Sequence, residues 1–387
     1  MKTNTILFLI PDWAIGGMPV VAHQMIEHFE TRFDVKLLLI NDKKIKYDLP
    51  EGIEVYTGFP EGKNIFGKMI LFFKRLIWLK QCENRTNADL VISFGVLAGV
   101  LNILANRKKA FVTEHNVKSI ENTQWGPSGI AFKWLIRWLY PKAQILTTVS
   151  EGVNQDLKRN FGVGNAKTIY NPNQISIRRL SNGNSLPKDI EDLVGNTNYF
   201  VYVGRLASTK QVDLIIRGFA NRTNRQLKLL IIGNGELENE LKELVNNLEA
   251  NNDVIFLGAR DDVLNIMRHA IGTVLYSKNE GLPNVLIESL AVGTKVLSGD
   301  SLAGPREILS NGEFSNYCVS INKPVEFQNG VLLPLLEGQS AVDCLSKCFD
   351  NWPLINGKII DISNFYAENV FNQYDEVVDS FFKKHLD

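Results

Sequence analysis

The sequence predicts an α/β protein built from two doubly wound domains in tandem, and three observations carry that reading. Short aliphatic and β-branched runs alternate with helical-period segments, and the alternation occurs twice. The runs are continuously apolar, so both faces of each sheet must be covered, as in parallel strands with helices on either side. Between the two alternations lies a polar stretch from Asn171-Pro172-Asn173 to Asn198. It holds Ser181-Asn182-Gly183-Asn184-Ser185 and reads as linker and loop.

In the first half the runs Ile6 to Ile10, Val35 to Ile40, Leu90 to Phe94, Lys109 to Thr113 and Ile145 to Val149 have strand length. In the second half Tyr199 to Gly204, Lys228 to Gly233, Val254 to Gly258, Thr273 to Ser277 and Lys295 to Ser298 repeat the pattern. Helices such as Gly235 to Glu249 and Asn284 to Val292 separate them, and Asn364 to Leu386 has the spacing of a final helix. The 387 residues, 45% apolar, are enough chain for two cores.

Composition excludes several classes. With 42 Lys and Arg against 42 Asp and Glu, nothing suggests an obligate nucleic-acid binder. Cys82, Cys318, Cys344 and Cys348 are too few and scattered for a disulfide scaffold, and Cys344-x3-Cys348 lacks the second pair that zinc needs. His23, His28, His115, His269 and His385 offer no metal pair, and no Asp-x-Asp is present for a nucleotide-bound divalent ion. No metal or cofactor is therefore expected. No run reaches the length of a membrane span or a signal-peptide core, so a reduced cytoplasmic compartment is expected.

Neutrality hides an asymmetry. Through Pro172 there are 22 basic residues against 15 acidic; after it, 20 against 27. Between Gly62 and Cys82 lie Lys63, Lys68, Lys74, Arg75 and Lys80 with no acid, interleaved with eleven apolar residues from Ile65 to Leu79. A second cluster, Phe132 to Tyr140, sets Trp134 with Trp138 and Lys133 with Arg137 at i, i+4. Both suit helices lying in a bilayer interface. The same residues would equally serve a flanking layer with snorkelling lysines.

Three turns hold the residues suited to chemistry. Beyond the strand Thr273 to Ser277 comes Glu280-Gly281-Leu282-Pro283-Asn284-Val285, with Glu288 in the helix that follows. Ligands of open α/β sheets bind beyond such strand ends, and the N–H groups opening the helix favour a phosphate. Two carboxylates beside a phosphate are best employed on hydroxyls, which a sugar nucleotide supplies on both sides of its diphosphate. Gly204-Arg205 and Lys210 stand at another strand-to-helix turn, where fixed cations neutralise a diphosphate. Gly16-Gly17, after the first strand, lets backbone approach a ligand, and Pro19 suits the first helical position. That turn, Ala14 to Pro19, is neither Gly-x-Gly-x-x-Gly nor a Walker A loop. His115 is the one histidine in a strand-exit loop, Glu114-His115-Asn116.

Taken in order, the Gly-Gly loop, Glu114-His115-Asn116, Thr148-Val149-Ser150-Glu151, Tyr170-Asn171-Pro172, Val203-Gly204-Arg205 with Lys210, Gly233-Asn234-Gly235, Phe256-Leu257-Gly258 and Glu280-x7-Glu288 resemble family 4 of the retaining glycosyltransferases. The resemblance spans about residues 6 to 310. It implies the GT-B fold: two Rossmann-like domains facing across a cleft, 1–172 for the acceptor and 173–363 for the nucleotide sugar, with 364–387 crossing back to the first. It also implies roles. Arg205 and Lys210 hold the donor diphosphate, beside Gly204, and stabilise it as it leaves. Glu288 accepts from the ribose, and Glu280, with the N–H groups of Gly281, Leu282, Asn284 and Val285 around Pro283, holds the transferred sugar. His115 sits beside that sugar, Gly16 and Gly17 admit phosphate and acceptor, and Arg260 neighbours the base.

The segment Gly304-Pro305-Arg306-Glu307-Ile308-Leu309 resembles the variant found in bacterial enzymes that extend polysaccharides or lipid-linked oligosaccharides. The implied partners are a UDP-sugar donor, a saccharide or polyprenyl-diphosphate-linked acceptor, and an anionic inner-membrane surface contacted peripherally from the cytoplasmic face. Met18-Pro19 departs from the charged residue that often follows the two glycines. Two other readings stay open at this stage: a nucleotide-sugar epimerase of the same fold, and a non-catalytic nucleotide- or glycan-binding protein.

Overall fold

The first apolar run forms β1 (Thr5–Ile10), every residue of which is buried. The computed structural model describes residues 4–13, 16–41, 49–60, 65–124, 127–173, 185–312, 320–352 and 361–384. After β1 come α1 (Gly17–Phe29), β2 (Asp34–Leu39), β3 (Glu54–Thr57), α2 (Ile65–Thr86), β4 (Leu90–Phe94), α3 (Gly95–Asn106) and β5 (Ala110–Glu114). Then follow α4 (Lys118–Gln124), α5 (Pro127–Leu139), β6 (Ile145–Thr148), α6 (Glu151–Asp156) and β7 (Lys167–Thr168). The strands form one parallel sheet in the order β3-β2-β1-β4-β5-β6-β7.

Alternate residues of β1 feed two cores, as a strand buried on both faces requires. Ile6, Phe8 and Ile10 pack with α1 on one face, whereas Leu7 and Leu9 meet Leu79 and Cys82 of α2 and Ala98 and Leu101 of α3 on the other. Lining α3 on that second side is α5, through Ile136 and Leu139.

The second unit opens with α7 (Lys188–Val194), β8 (Asn198–Val203), α8 (Val212–Ala220), β9 (Leu227–Ile232), α9 (Glu238–Asn247), β10 (Val254–Gly258) and α10 (Val263–His269). It continues with β11 (Gly272–Leu275), α11 (Asn284–Ala291), β12 (Val296–Gly299), α12 (Gly304–Ser310), β13 (Val325–Phe327), β14 (Gly330–Leu333) and α13 (Gly338–Asp350). Its sheet runs β10-β9-β8-β11-β12-β14-β13, parallel except for the β13–β14 hairpin.

The two compact units are Met1–Pro172 with Ala367–Asp387, and Asn173–Tyr366. The final helix, α14 (Ala367–Lys384), belongs to the first: Val370, Tyr374, Val378 and Phe381 join the core of α1 and β1. Arg32 bridges Asp375 and Asp379 at 2.7 and 2.5 Å, and His28 meets Asp375 at 3.0 Å while stacking on Phe371.

Some expectations need revision. The polar stretch after Asn173 is not loop throughout, since α7 sits within it and buries Ile190 and Val194, too short a pattern for periodicity to reveal. Helix α1 begins at Gly17, so Pro19 is its third residue; a first-turn N–H lacks an intrahelical partner in any case. Ala14, Ile15, Lys63, residues 181–184, Cys318 and His385 lie outside the described residues.

Candidate active site

In each sheet the strand order reverses once, beside β1 and β4 in the first unit and beside β8 and β11 in the second. Loops leaving the carboxyl ends of such strands diverge and open a crevice for ligands. In the second unit the reversal brings two of the expected turns together, although they are 70 residues apart in sequence.

The turn after β8 is fixed by backbone packing. A Cβ on Gly233 would lie 2.0 Å from the Gly204 carbonyl oxygen, and one on Gly235 2.1 Å from that of Leu206. Only glycine permits so close an approach. Leu206 N then donates to Asn234 O at 3.0 Å, and Leu237 N to Leu206 O at 3.1 Å. Buried Tyr202 donates its hydroxyl to Arg205 O at 3.0 Å. Burial raises the Tyr202 pKa; Glu280 reinforces the shift and Arg205 opposes it, so both charges lie near this hydroxyl.

The turn after β11 is tied to the first by Lys278 N donating to Thr209 O at 2.9 Å. As a result Lys210 Nζ meets Glu280 Oε1 at 2.5 Å, with the side chains 24% and 12% exposed. The exposed Arg205 forms no ion pair among the described residues. Gly281-Leu282-Pro283 is buried and leads into α11, which carries half-buried Glu288. That turn is clamped by α12: Gly304 N donates to Gly281 O at 2.8 Å, and a Cβ on Gly304 would sit 2.5 Å from the same oxygen.

Helix α12 is itself anchored by a fully buried pair, Arg306 with Asp300. Nε binds Oδ1 and Nη2 binds Oδ2, the latter at 2.6 Å. Arg306 thus supports the site from inside. Arg260 is committed elsewhere: Nε donates to Asp262 Oδ1 at 2.7 Å and Nη1 to Asp189 Oδ2 at 2.7 Å. The two hydrogen bonds hold both carboxyls below their usual range.

In the first unit, added Cβ atoms on Gly16 and Gly17 would meet no atom of the described residues within 4 Å, and Gly16 is extended, so the described residues do not demand glycine there. His115 is buried at the exit of β5, stacked on Phe94 at 5.2 Å, with Nε2 3.4 Å from Thr113 Oγ1. Desolvation and then Lys118 push its pKa down to about 3, so its imidazole is neutral near pH 7.

The loop around His115 is braced by a network that sequence reasoning missed. Buried Lys118 Nζ lies 2.6 Å from Glu114 Oε2 and 2.8 Å from Glu121 Oε2, and those two carboxylates hold it protonated. Tyr140 donates to Glu114, and Asn116 donates to Glu121 at 2.7 Å. The i, i+4 and i, i+3 spacing of these charges was the available signal. Among the described residues no group of His, Cys, Asp and Glu could hold a metal ion, and no helix is long and apolar enough to cross a membrane.

Two family models cover most of the chain: Glycosyltransferase Family 4 matches residues 15–179, and Glycosyl transferases group 1 matches residues 187–344. A relative from Campylobacter jejuni is 29% identical over 89% of this chain and 93% of its own length. It is the N-acetylgalactosamine-N,N'-diacetylbacillosaminyl-diphospho-undecaprenol 4-alpha-N-acetylgalactosaminyltransferase. An uncharacterized glycosyltransferase of Methanocaldococcus jannaschii is 30% identical over 66% of this chain and 70% of its own length. Anabaena HepE, solved in complex with UDP-glucose, superposes with a TM-score of 0.74 at 20% identity, covering 97% of this chain and 99% of that one. The strand orders, the paired turns at the reversal and these matches agree: the chain belongs to the family 4, group 1 glycosyltransferases and has their GT-B fold.

Proposed function

We propose that this glycosyltransferase moves a hexose or N-acetylhexosamine, with retention of configuration, from a UDP-sugar to a saccharide carried on a polyprenyl diphosphate. Its product would feed a bacterial surface polysaccharide such as O-antigen or capsule. The observation that carries the reading is the Lys210–Glu280 pair at the strand-order reversal, beside the exposed Arg205. The acceptor class follows the Campylobacter relative, whose own acceptor is a diphospho-undecaprenol saccharide. The epimerase and sensor readings gain no support, since that relative is a transferase.

In this reading Lys210 and Arg205 receive the diphosphate, with Gly204 giving it room. The Lys210 ammonium has three donors and can serve Glu280 and a phosphate oxygen together. Glu280 accepts from hydroxyls of the transferred sugar, alongside the backbone of Gly281, Leu282, Pro283, Asn284 and Val285. Glu288 accepts from the ribose, and Arg260 offers its planar face to the base. The neutral His115 gives or takes one hydrogen bond with a sugar hydroxyl. Gly16 and Gly17 admit acceptor and phosphate without obstruction.

The acceptor hydroxyl attacks the anomeric carbon on the face that the nucleotide leaves. The bond to the diphosphate oxygen breaks, the glycosidic bond forms, and the hydroxyl proton passes to the departing diphosphate. Catalysis then rests on charge stabilisation and positioning. A lipid-linked acceptor places the work at a membrane surface, the cytoplasmic face of an inner membrane in this account.

Thermal-shift measurements with UDP, GDP and ADP, followed by product analysis with the stabilising donor and lipid-linked acceptors, test the proposal. A UDP-dependent rise in Tm and a new α-linked glycoside from an α-linked donor are expected. Release of free epimerised donor, or no response to any nucleotide, would refute it.

A further inference from the structure

The first unit carries an apolar face that none of the described residues covers. On α2, Met69, Ile70, Phe73 and Ile77 are 55 to 58% exposed; on α5, Ile130, Trp134 and Trp138 are 59 to 67% exposed. Inward residues of the same helices, Leu79 and Cys82 of α2 and Ile136 and Leu139 of α5, are buried. Each helix is thus apolar on two sides, one facing the sheet and one facing out. A core-facing helix needs only one apolar stripe.

Helix geometry aligns the outer residues. Met69, Phe73 and Ile77 stand four apart, as do Ile130, Trp134 and Trp138, so each set forms one stripe. Both helices flank α3 in the layer covering a single sheet face, and Leu104 of α3 is exposed between them. Contiguous exposed apolar surface of this kind marks an interaction site.

Charge selects the occupant. Lys68, Lys74, Lys80, Lys133, Arg137 and Lys142 are exposed along these helices and the turn after α5, and Lys142 Nζ lies 5.9 Å from the Trp138 ring centre. The sole acid of α2 or α5 is Glu83, which is buried. The opposite face of the unit is covered by α1 and α14, and α14 carries Glu368, Asp375, Glu376 and Asp379. The unit therefore gathers basic and aromatic residues on one side and carries mixed charge on the other, where α14 also holds Lys383 and Lys384 and Arg32 pairs with Asp375 and Asp379. A second copy of the chain presenting the same face would set basic residues against basic residues, whereas an anionic lipid headgroup layer matches both the charges and the indoles.

We infer that the outer face of α2 and α5 is an interfacial docking surface for an anionic bilayer, with Phe73, Trp134 and Trp138 seated at the headgroup level and the lysines among the lipid phosphates. This deepens the reading above, because it rests on a lipid-linked acceptor being the substrate that docking serves. The helices lie in the interface and do not span it.

The test uses the full chain and vesicles of phosphatidylcholine with or without about 30% phosphatidylglycerol, whose charge supplies the negative surface potential that attracts basic residues. Expected is sedimentation with the anionic vesicles, weakened by salt, and a blue shift of tryptophan emission. The double variant Phe73→Ser with Trp134→Ser, and separately Lys74→Glu with Lys133→Glu, should each lower partition by about tenfold or more. Lys383→Glu with Lys384→Glu, an equal charge change on α14, should not. All these side chains are exposed, and an unchanged Tm verifies folding.

Binding indifferent to the α2 and α5 variants, or equally lost in the α14 variant, would overturn the assignment. So would a concentration-dependent dimer that these variants abolish. Transfer to a short-chain, water-soluble acceptor separates the two readings. A protein that binds vesicles but makes no glycoside would sink the enzymatic reading alone; one that transfers yet ignores vesicles would sink the docking face alone.

Discussion

Replacing Lys210 by alanine separates the chemistry of the site from its stability. The ammonium lies 2.5 Å from Glu280, and neither side chain is fully exposed. The pair therefore falls between a surface ion pair, worth up to about 1 kcal/mol, and a buried one, whose loss costs about 3 to 5 kcal/mol. A loss of about 1 to 2 kcal/mol is expected, which for a unit of this size lowers Tm by roughly 2 to 8 °C.

The catalytic loss should be much larger. A preorganised cation that stabilises a departing diphosphate contributes about 3 to 4 kcal/mol to the transition state, or a factor of about 10² to 10³ in kcat. If Lys210 acts mainly on developing charge, kcat falls further than KM rises. Steady-state kinetics with the UDP-sugar and acceptor, beside a thermal melt of the same sample, read both quantities. Turnover within threefold of wild type (less than about 1 kcal/mol) would refute the role of this ammonium, whatever happened to Tm.

Other perturbations test the supporting structure. Gly233→Ala forces a Cβ to within 2.0 Å of the Gly204 carbonyl at a φ of +127°, so urea melts should show a loss of about 3 kcal/mol or more together with weakened UDP binding. Gly16→Ala meets no atom of the described residues, so stability should hold within about 0.5 kcal/mol while KM for a substrate rises; an unchanged KM would remove that turn from the site. Arg306→Met strands buried Asp300 and should cost about 3 to 5 kcal/mol in denaturant unfolding, whereas a neutral result would show that α12 does not depend on the pair.

Burial raises the Glu83 carboxyl from 4.5 to about 7, so the folded chain binds the proton more tightly than the unfolded one. Its contribution is intact below about pH 4.5 and is lost as pH climbs through about 7. Glu83→Gln should therefore raise stability by about 2 to 3 kcal/mol at pH 8 and leave it nearly unchanged at pH 4.5, read from Tm across pH; a uniform effect would contradict this.

How much of this was legible follows from what each feature depends on. Strands such as β1, β4 and β9 announce themselves because burial on both faces demands uninterrupted aliphatic residues. Edge strand β3, Glu-Val-Tyr-Thr, is half exposed and so carries no such run, and β7 has only two residues. The Gly281-Leu282-Pro283 turn was readable as a strand exit, since turn residues act locally. That Glu280 meets Lys210 was not, because their contact depends on β8 and β11 being neighbours in the sheet. Likewise the neutral state of His115 arises from its burial at the exit of β5 and from the nearby Lys118 ammonium, which depend on how the strands pack. In the sequence Arg306 stands out only as part of the Gly304 to Leu309 motif, because its burial against Asp300 depends on how α12 packs.

The central claim is that Arg205 and Lys210 receive the diphosphate of a nucleotide sugar in the second unit. Calorimetric titration of uridine, UMP and UDP into the wild type and Arg205→Ala tests it most directly. The account expects affinity to climb steeply from UMP to UDP in the wild type, and that increment to shrink by about tenfold or more in the variant (a charge-assisted hydrogen bond of about 1.5 to 3 kcal/mol). Equal affinity for UMP and UDP, or an increment untouched by removing the guanidinium, would contradict it.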